Sequence, residues 1–208
     1  GNAHGHPLVR LGLPNFSGGK RVTVTEQSLP MILTTVAVTG VERLSPTFAR
    51  IELGGEGLTE FGVDGPLLDQ RIKLVFPNDA GTLPSFEGAG DSWYGAWLAI
   101  PEAERGYMRT YTAREVRTVG EERRVVVDFV IHLEPGASGP ASRWAGSAKV
   151  GDEVVILGPR RGMPYGGIEF LPGDATTIVL AGDESAVPAV SGILAGMPDV
   201  AVGAAFLE

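Results

Sequence analysis

The sequence Arg-Thr-Tyr-Thr at residues 109–112 combines side chains that are suited to holding a nucleotide. Residues two apart in a strand share a face, so Arg109 and Tyr111 are expected to point the same way. A guanidinium binds phosphate through a fork of donors, and a phenol ring offers a flat surface to a planar heterocycle. Thr112 turns to the other face, or lies at a bend where its hydroxyl reaches a ring nitrogen or phosphate. Phosphate and ring together describe a flavin nucleotide, although taken alone the tetrapeptide favours a surface cation–π pair.

A second stretch, "DFVIHLEPGASGPASRWA" at residues 128–145, runs from a strand through a Gly/Ser/Pro turn into a short helix near Pro140. Proline is favoured in a first helical turn, where free backbone N–H groups can bind a phosphate. Ser138 and Ser142 add hydroxyl groups, and His132 at the strand end can reach a ribose or pyrophosphate. A capped helix beside a packed tryptophan explains the same residues equally well.

A third stretch, "LAGDESAVPAV" at residues 180–190, joins an apolar strand to a helix through a Gly-Asp-Glu-Ser turn. Ligands in open α/β sheets bind at the carboxyl ends of the strands, which is where this turn lies. The stretch lacks the full glycine fingerprint of a dinucleotide site. A glycine turn with a capped helix is therefore an equally good interpretation.

Composition and charge exclude several classes of protein. The chain has 208 residues and a formal net charge of −8, which argues against a nucleic acid or an anionic membrane surface as general partner. The absence of cysteine excludes disulfides and thiolate metal sites. His4 and His6 could bind a metal as a pair, but a mobile terminus is the favoured interpretation, and we expect no metal site. No secretory signal or membrane-spanning run is visible, so we expect a cytoplasmic protein without membrane insertion. The oligomeric state is left open.

The order of the predicted elements indicates two architectures in succession. Short β-rich runs separated by turns favour an antiparallel barrel over residues 31–172. The barrel is expected to include a hairpin about Gly120, in which residues 106–118 pair with residues 123–133, and a surface loop at 78–92. After Gly173 the pattern becomes β-α-β, the start of a parallel α/β domain over residues 173–208. That domain is expected to be incomplete, because two strands and one helix cannot bury both faces of a sheet. Residues 1–30 are expected to be loosely ordered.

In this order the stretches resemble the siderophore-interacting protein family, a branch of the ferredoxin-reductase-like flavoenzymes. The resemblance is carried by "DQRIKLVFP", "RTYTARE", "VDFVIHLEPGASGPASRWA", "GDEVVILGPRRG" and "LAGDESAVPA", spread over roughly residues 31–190. It implies the fold class β + α/β, with an antiparallel β-barrel FAD-binding domain followed by a partial parallel-sheet NAD(P)H-binding domain.

The resemblance also implies a set of cofactor residues. The Arg-x-Tyr-Ser/Thr motif of the family binds FAD, so Arg109, Tyr111 and Thr112 would hold the phosphate, the isoalloxazine face and a polar atom of the flavin. The flavin edge and pyrophosphate would be held by Val130, His132, Gly139, Pro140, Ala141 and Ser142. Asp183 and Ser185 would face the flavin and nicotinamide side. The sequence departs from the family at residues 133–135, which lengthen the turn that follows the histidine.

By the same resemblance, basic side chains near the flavin would face a ferric chelate. The matching positions are Lys73 and Arg160, with Arg161 as the rival of Arg160; without the resemblance, Lys73 is interpreted as a solvated strand lysine. The implied function is FAD-dependent reduction of ferric siderophores with electrons from NAD(P)H, releasing Fe(II) inside the cell, and no side chain needs to act as a nucleophile. The alternatives are a flavin- or siderophore-binding module without turnover and a flavoprotein reductase for a ferredoxin-like acceptor.

Overall fold

The computed structural model describes residues 29–132, 136 and 138–208. The predictions made for the N-terminal segment, including His4 and His6, and for the longer turn at residues 133–135 lie outside these ranges. The strands and helices in chain order are β1 (Met31–Ser45), β2 (Phe48–Gly54), β3 (Arg71–Phe76), α1 (Trp93–Ala99), β4 (Tyr107–Thr112), β5 (Glu115–Val119), β6 (Glu122–Val130), α2 (Pro140–Ser147), β7 (Glu153–Pro159), β8 (Thr177–Gly182), α3 (Val187–Gly196) and β9 (Val202–Leu207).

Alternating burial along the strands places the core inside a curled sheet. On β2 the side chains of Ala49, Ile51 and Leu53 are buried and those of the two residues between them are partly exposed, as the two-residue period of a strand requires. Phe61 and Phe76 are also fully buried and are among the largest side chains of the core. The apolar alternation of the sequence therefore fixes which face of each strand turns inward.

Strands β1 to β7 form one antiparallel sheet in the order β4-β3-β7-β1-β2-β6-β5. The predicted hairpin is confirmed for β5 and β6, which turn at Gly120 with a φ of 64° that suits glycine. It is wrong for residues 107–112, because β4 pairs with β3 at the opposite end of the sheet. The chain changes sheet edge at residues 113–114, and this break separates the two halves of what the sequence presents as one β run.

The predicted surface loop at residues 78–92 is followed by a short helix that the sequence analysis missed. Helix α1 spans Trp93–Ala99 and carries no capping side chain or charged residue. Its Trp97 ring nitrogen donates to the carbonyl oxygen of Arg105 at 2.8 Å, and the Arg105 guanidinium lies 4.6 Å from the ring centroid. Aromatic residues are weak helix formers, so tertiary contacts of this kind decide the local conformation.

The last part of the described chain is the predicted β-α-β unit. Strands β8 and β9 pair in parallel and α3 connects them. The side chains of β9 are exposed along its whole length. The domain boundary at residues 172–173 stays a prediction. Within the described ranges, no helix is long and apolar enough to cross a membrane.

Replacing Phe129 by alanine should lower the free energy of unfolding by about 3–5 kcal/mol, the range for a large aromatic side chain removed from a core. Its ring centroid lies 4.5 Å from that of Tyr111, 5.9 Å from Trp144 and 6.2 Å from Phe76. Urea unfolding followed by circular dichroism measures the loss.

The matched control is Phe206→Ala, since this phenylalanine is 63% exposed and should contribute within about 0.5 kcal/mol. Equal losses in the two variants would contradict the placement of the core.

Candidate functional site

A cavity of about 590 Å³ lies where the curled sheet meets the first turn of α3. It is bordered by β4, the end of β6, the start of α2 and residues 69 and 71 beside β3. From the other side, Ser185, Pro188 and Ala189 complete its wall. A concave site between two structural units is a common location for a cofactor.

The cavity brings together most of the residues predicted to bind the cofactor. Those that line it are Arg109, Tyr111, Thr112, Val130, His132, Gly139, Ala141, Ser142 and Ser185. Pro140 and Asp183 do not line it. Pro140 is the first residue of α2, while the Asp183 carboxylate accepts hydrogen bonds from the Ser185 backbone N–H and hydroxyl at 2.9 and 2.6 Å. Asp183 therefore shapes the turn that presents Ser185, and the flavin contacts of the whole set stay predictions.

Tyr111 lies between the core and the cavity. Its cross-strand partner on β3 is Ile72, and its ring packs 4.5 Å from Phe129 and 6.1 Å from Phe76, centroid to centroid. Burial raises the pKa of the Tyr111 phenol to about 12, and the charge of Arg109 opposes this in part. The phenol therefore stays protonated at neutral pH and keeps its hydrogen-bond donor.

Arg109 and the threonines of β4 also border the cavity. An Arg109 guanidinium nitrogen donates to the carbonyl oxygen of Met108 at 2.8 Å, and no carboxylate of the described residues forms an ion pair with it. Thr112, expected on the face opposite Tyr111, borders the same cavity. Because β4 is the end strand of the sheet, residues that point to either face can lie along its unpaired edge.

The end of β6 and the start of α2 are tied together by one side chain. The Ser142 hydroxyl accepts from the backbone N–H of His132 at 2.9 Å, which leaves the hydroxyl hydrogen free to be donated. Gly139 precedes α2 without a side-chain cap from the described part of the chain. Backbone N–H groups in the first turn of the helix therefore lack intrahelical partners and can bind an anion.

Asp128 is the most informative lining residue that the sequence analysis missed. It shares the outer face of β6 with Val130 and His132, so the two-residue period of the strand was a sufficient signal. Asp128 is 8% exposed and accepts two hydrogen bonds from Arg50, at 2.7 and 2.8 Å. The hydrogen bonds to Asp128 raise the pKa of the Arg50 guanidinium, so this buried carboxylate lies beside a permanent cation.

Other lining residues lie in stretches that carry the resemblance but were not predicted to be site residues: Asp69, Arg71, Thr110, Pro188 and Ala189. The Asp69 carboxylate accepts from the backbone N–H groups of Glu169 and Phe170 at 3.1 and 3.2 Å. Arg71 forms an ion pair with Glu169. These contacts join positions about a hundred residues apart, which no local pattern reveals.

A second cavity of about 290 Å³ adjoins the first and contains Lys73. Lys73 and Thr110 are cross-strand partners, and the Lys73 Nζ donates to the Thr110 hydroxyl at 3.1 Å. Arg71 and Thr110 border both cavities. Tyr165 lines the second cavity, and burial raises the pKa of its phenol. Arg71, Lys73 and Tyr165 together present hydrogen-bond donors to this space.

The other two predicted substrate residues lie elsewhere. The Arg160 guanidinium donates to the carbonyl oxygen of Leu29 at 2.7 Å and forms an ion pair with Glu60. Arg161 is exposed, and its backbone N–H donates to the carbonyl oxygen of Glu60. Neither arginine lines the cavity that contains Lys73. The local basic sequence at residues 160–161 thus serves contacts with the chain before β1 and with residue 60, and the substrate role of both arginines stays a prediction.

Comparison with known proteins adds the family. The sequence pattern of the siderophore-interacting FAD-binding domain matches residues 37–163. Ferric vibriobactin reductase ViuB of Vibrio cholerae is 36% identical over 168 residues, 79% of this chain and 54% of its own length. The NADPH-dependent ferric-chelate reductase of Escherichia coli is 34% identical over 171 residues, 80% of this chain and 58% of its own. The chain thus spans about half the length of the curated relatives it matches.

The crystal structure of a siderophore utilization protein from T. fusca superposes with a TM-score of 0.64 and 27% identity, covering 86% of this chain and 61% of that one. The curled antiparallel sheet followed by a smaller parallel sheet is the arrangement that the resemblance predicted, and the fold class is confirmed. On the match of family pattern, sequence and fold, the chain belongs to the family of siderophore-interacting FAD-binding domains.

Proposed function

We propose that this chain is the FAD-binding part of a reductase that takes electrons from NAD(P)H and passes them to ferric siderophores, which release Fe(II). The observation that carries the proposal is the cavity of about 590 Å³ in which the Arg-x-Tyr-Thr motif, the end of β6 and the start of α2 meet. The relatives named ferric vibriobactin reductase and ferric-chelate reductase support the assignment.

The phosphate groups of FAD find donors of two kinds in this cavity. Arg109 offers guanidinium hydrogens that no described carboxylate engages, and the first turn of α2 offers backbone N–H groups. The hydroxyl of Ser142, which already accepts from His132, has its hydrogen left to donate. This donor set fits a pyrophosphate, because anionic oxygens accept several hydrogen bonds at once.

The ring system of FAD is assigned to the part of the cavity bordered by Tyr111, Val130 and His132. The Tyr111 ring is held in place by Phe129 and Phe76, so it offers a preformed flat surface. FAD, when bound, accepts hydride from a nicotinamide and gives single electrons to an acceptor. The chain's own groups bind it, orient it and exclude water from one side of it.

The electron donor is assigned to the side of the cavity formed by the β8–α3 turn. Ser185, Pro188 and Ala189 lie there, just after the carboxyl end of β8. Nucleotides bind at the carboxyl ends of parallel strands, so a nicotinamide is expected to approach from this side.

The ferric chelate is assigned to the second cavity. Arg71 and Lys73 give it a positive character in a chain whose net charge is −8, and Tyr165 adds a protonated phenol. A local positive field of this kind attracts an anionic ligand that the rest of the surface repels. Ferric siderophores with catecholate groups have that charge.

The function is tested by following NADPH oxidation in the presence of a ferric chelate, with a colorimetric Fe(II) trap as second readout. Oxidation that requires both FAD and the chelate, with Fe(II) formed in step, supports the proposal. Bound FAD without turnover would instead favour a binding module, and turnover restricted to a ferredoxin would favour the protein acceptor.

Replacing Arg109 by alanine should weaken FAD binding by roughly 1.5–3 kcal/mol, because a hydrogen bond to a charged group contributes that much. Fluorescence titration of the apoprotein with FAD measures the change. Arg43→Ala is the charge-matched control, since Arg43 lies on β1 and does not line the cavity. Equal FAD affinity in Arg109→Ala and wild type would remove the phosphate role of the motif.

Replacing Lys73 by alanine should raise the KM for an anionic ferric chelate several-fold and leave the FAD content unchanged. An exposed charge pair contributes about 1 kcal/mol or less, which corresponds to about fivefold. The wild-type KM should rise with salt concentration, because ions screen such a pair.

Arg160→Ala provides the contrast to Lys73→Ala. Its contacts with Glu60 and Leu29 predict a lower free energy of unfolding and an unchanged KM. A raised KM with unchanged stability would instead favour the substrate role that the resemblance implied for Arg160.

A further inference from the structure

Helix α3 rests against residues 66–68 of the curled sheet domain at two glycines. A Cβ atom on Gly192 would overlap the carbonyl oxygen of Leu68. A Cβ atom on Gly196 would lie 2.6 Å from the Leu68 Cδ2 and 3.1 Å from the Pro66 Cβ. Residues four apart share a face of a helix, so the two glycines form one flat contact that any larger residue would open.

Leu68 has an unusual conformation at this point of closest approach. With a φ of 49° it is the one described residue other than glycine in the left-handed region. A leucine is strained in this region, so the surrounding structure must stabilise it. Leu68 is the second residue of a turn in which the backbone N–H of Gln70 donates to the carbonyl oxygen of Leu67 at 2.8 Å, and this turn is the part of the sheet domain that touches α3.

The contact is connected to the cavity of about 590 Å³ from both sides. Asp69 follows Leu68 in the chain and lines that cavity. On the helix, Ala189 lines it as well and precedes Gly192 by about one helical turn, or roughly 5 Å. A displacement of α3 at Leu68 is therefore transmitted to the cavity wall within one turn of a rigid helix.

Val190 and Ile193 of α3 are buried, whereas the flank of the helix beside the two glycines is open. A third cavity of about 390 Å³ opens beside the contact and is bordered by Leu67, Leu68, Gly192, Ala195 and Gly196, among others. The flank of the helix next to the glycines is thus not packed. The distance between α3 and the sheet domain depends on the glycine contact more than it would in a filled interface.

We propose that Leu68, Gly192 and Gly196 are positioning residues that set how closely the first turn of α3 approaches the flavin. The expected effect on FAD binding rests on the proposed function, whereas the contact of Leu68 with the two glycines does not. The two glycines allow the helix to pack against Leu68, and this packing places Ser185, Pro188 and Ala189 in the cavity wall.

The experiment compares alanine variants of Gly192, Gly196 and Leu68, single and combined, in the full chain. Gly192→Ala overlaps the backbone carbonyl of Leu68 and should weaken FAD binding by about tenfold and change the visible circular dichroism of the bound flavin. Gly196→Ala contacts the movable end of the Leu68 side chain and should weaken FAD binding less, by a few-fold. Adding Leu68→Ala removes the Cδ2 atom and should restore most of the affinity. Gly192→Ala meets a backbone carbonyl, so Leu68→Ala should not rescue it. Gly95→Ala on α1 is the control, since open space surrounds Gly95 and FAD affinity should be unchanged.

A second readout separates this inference from the proposed function. Amide hydrogen exchange of α3, measured without FAD, should accelerate in Gly196→Ala and return towards wild type in the double variant. If wild type does not bind FAD, the proposed function fails. The exchange pattern still decides whether the contact of Leu68 with the two glycines holds α3 in place. Exchange that is unaffected by Gly196→Ala, or FAD binding that is unaffected although exchange responds, would overturn the positioning role.

Discussion

Two consecutive backbone N–H groups donate to residues next to or on β3 and β6, which lie near opposite ends of the strand order, and the site depends on this crossing. Ala113 donates to the carbonyl oxygen of Gln70 and Arg114 to that of Val126, each at 2.9 Å. Successive Cα atoms are about 3.8 Å apart, so one residue step can join both edges only if the sheet curls until they meet. Ala113 is fully buried at this seam. The crossing brings β4 close to the end of β6, and residues of both strands line the cavity.

The charges around the cavity are arranged so that acidic groups are already engaged. The Asp128 carboxylate is held by Arg50, and the Asp69 carboxylate accepts from two backbone N–H groups. Glu169 pairs with Arg71, and Asp183 accepts from Ser185. The guanidinium of Arg109, in contrast, is paired with no carboxylate of the described residues. A chain of net charge −8 thus offers donors to an anion here because its carboxylates are satisfied from within.

The sequence was sufficient for features that follow from local pattern and failed where distant partners decide. Apolar, β-rich runs and turn residues predicted the strands and the β-α-β unit. The motifs and the resemblance predicted most of the residues that line the cavity. Asp128 could have been found, because it is two residues before Val130 on a strand. The partner strand of β4 could not have been predicted, because nothing in "RTYTARE" indicates that the chain moves from one edge of the sheet to the other within it. The resemblance implied a substrate role for Arg160, which stays a prediction; its contacts with Glu60 and Leu29 join positions far apart in sequence, which no local pattern reveals.

The two cavities have a further consequence for the proposed reaction, because one edge strand separates them. Cross-strand partners share a face, so Tyr111 with Ile72 lies on the inner face of β3 and β4, and Lys73 with Thr110 on the outer face. Thr110 and Arg71 border both spaces. A chelate bound at Lys73 and a flavin bound at Tyr111 would therefore meet at the edge of β4 without either entering the site of the other. The side proposed for the nicotinamide, at the first turn of α3, is a different wall of the cavity proposed for the flavin. On that proposal, donor and acceptor would occupy separate places around one flavin, and the chain would not need to release one before it binds the other.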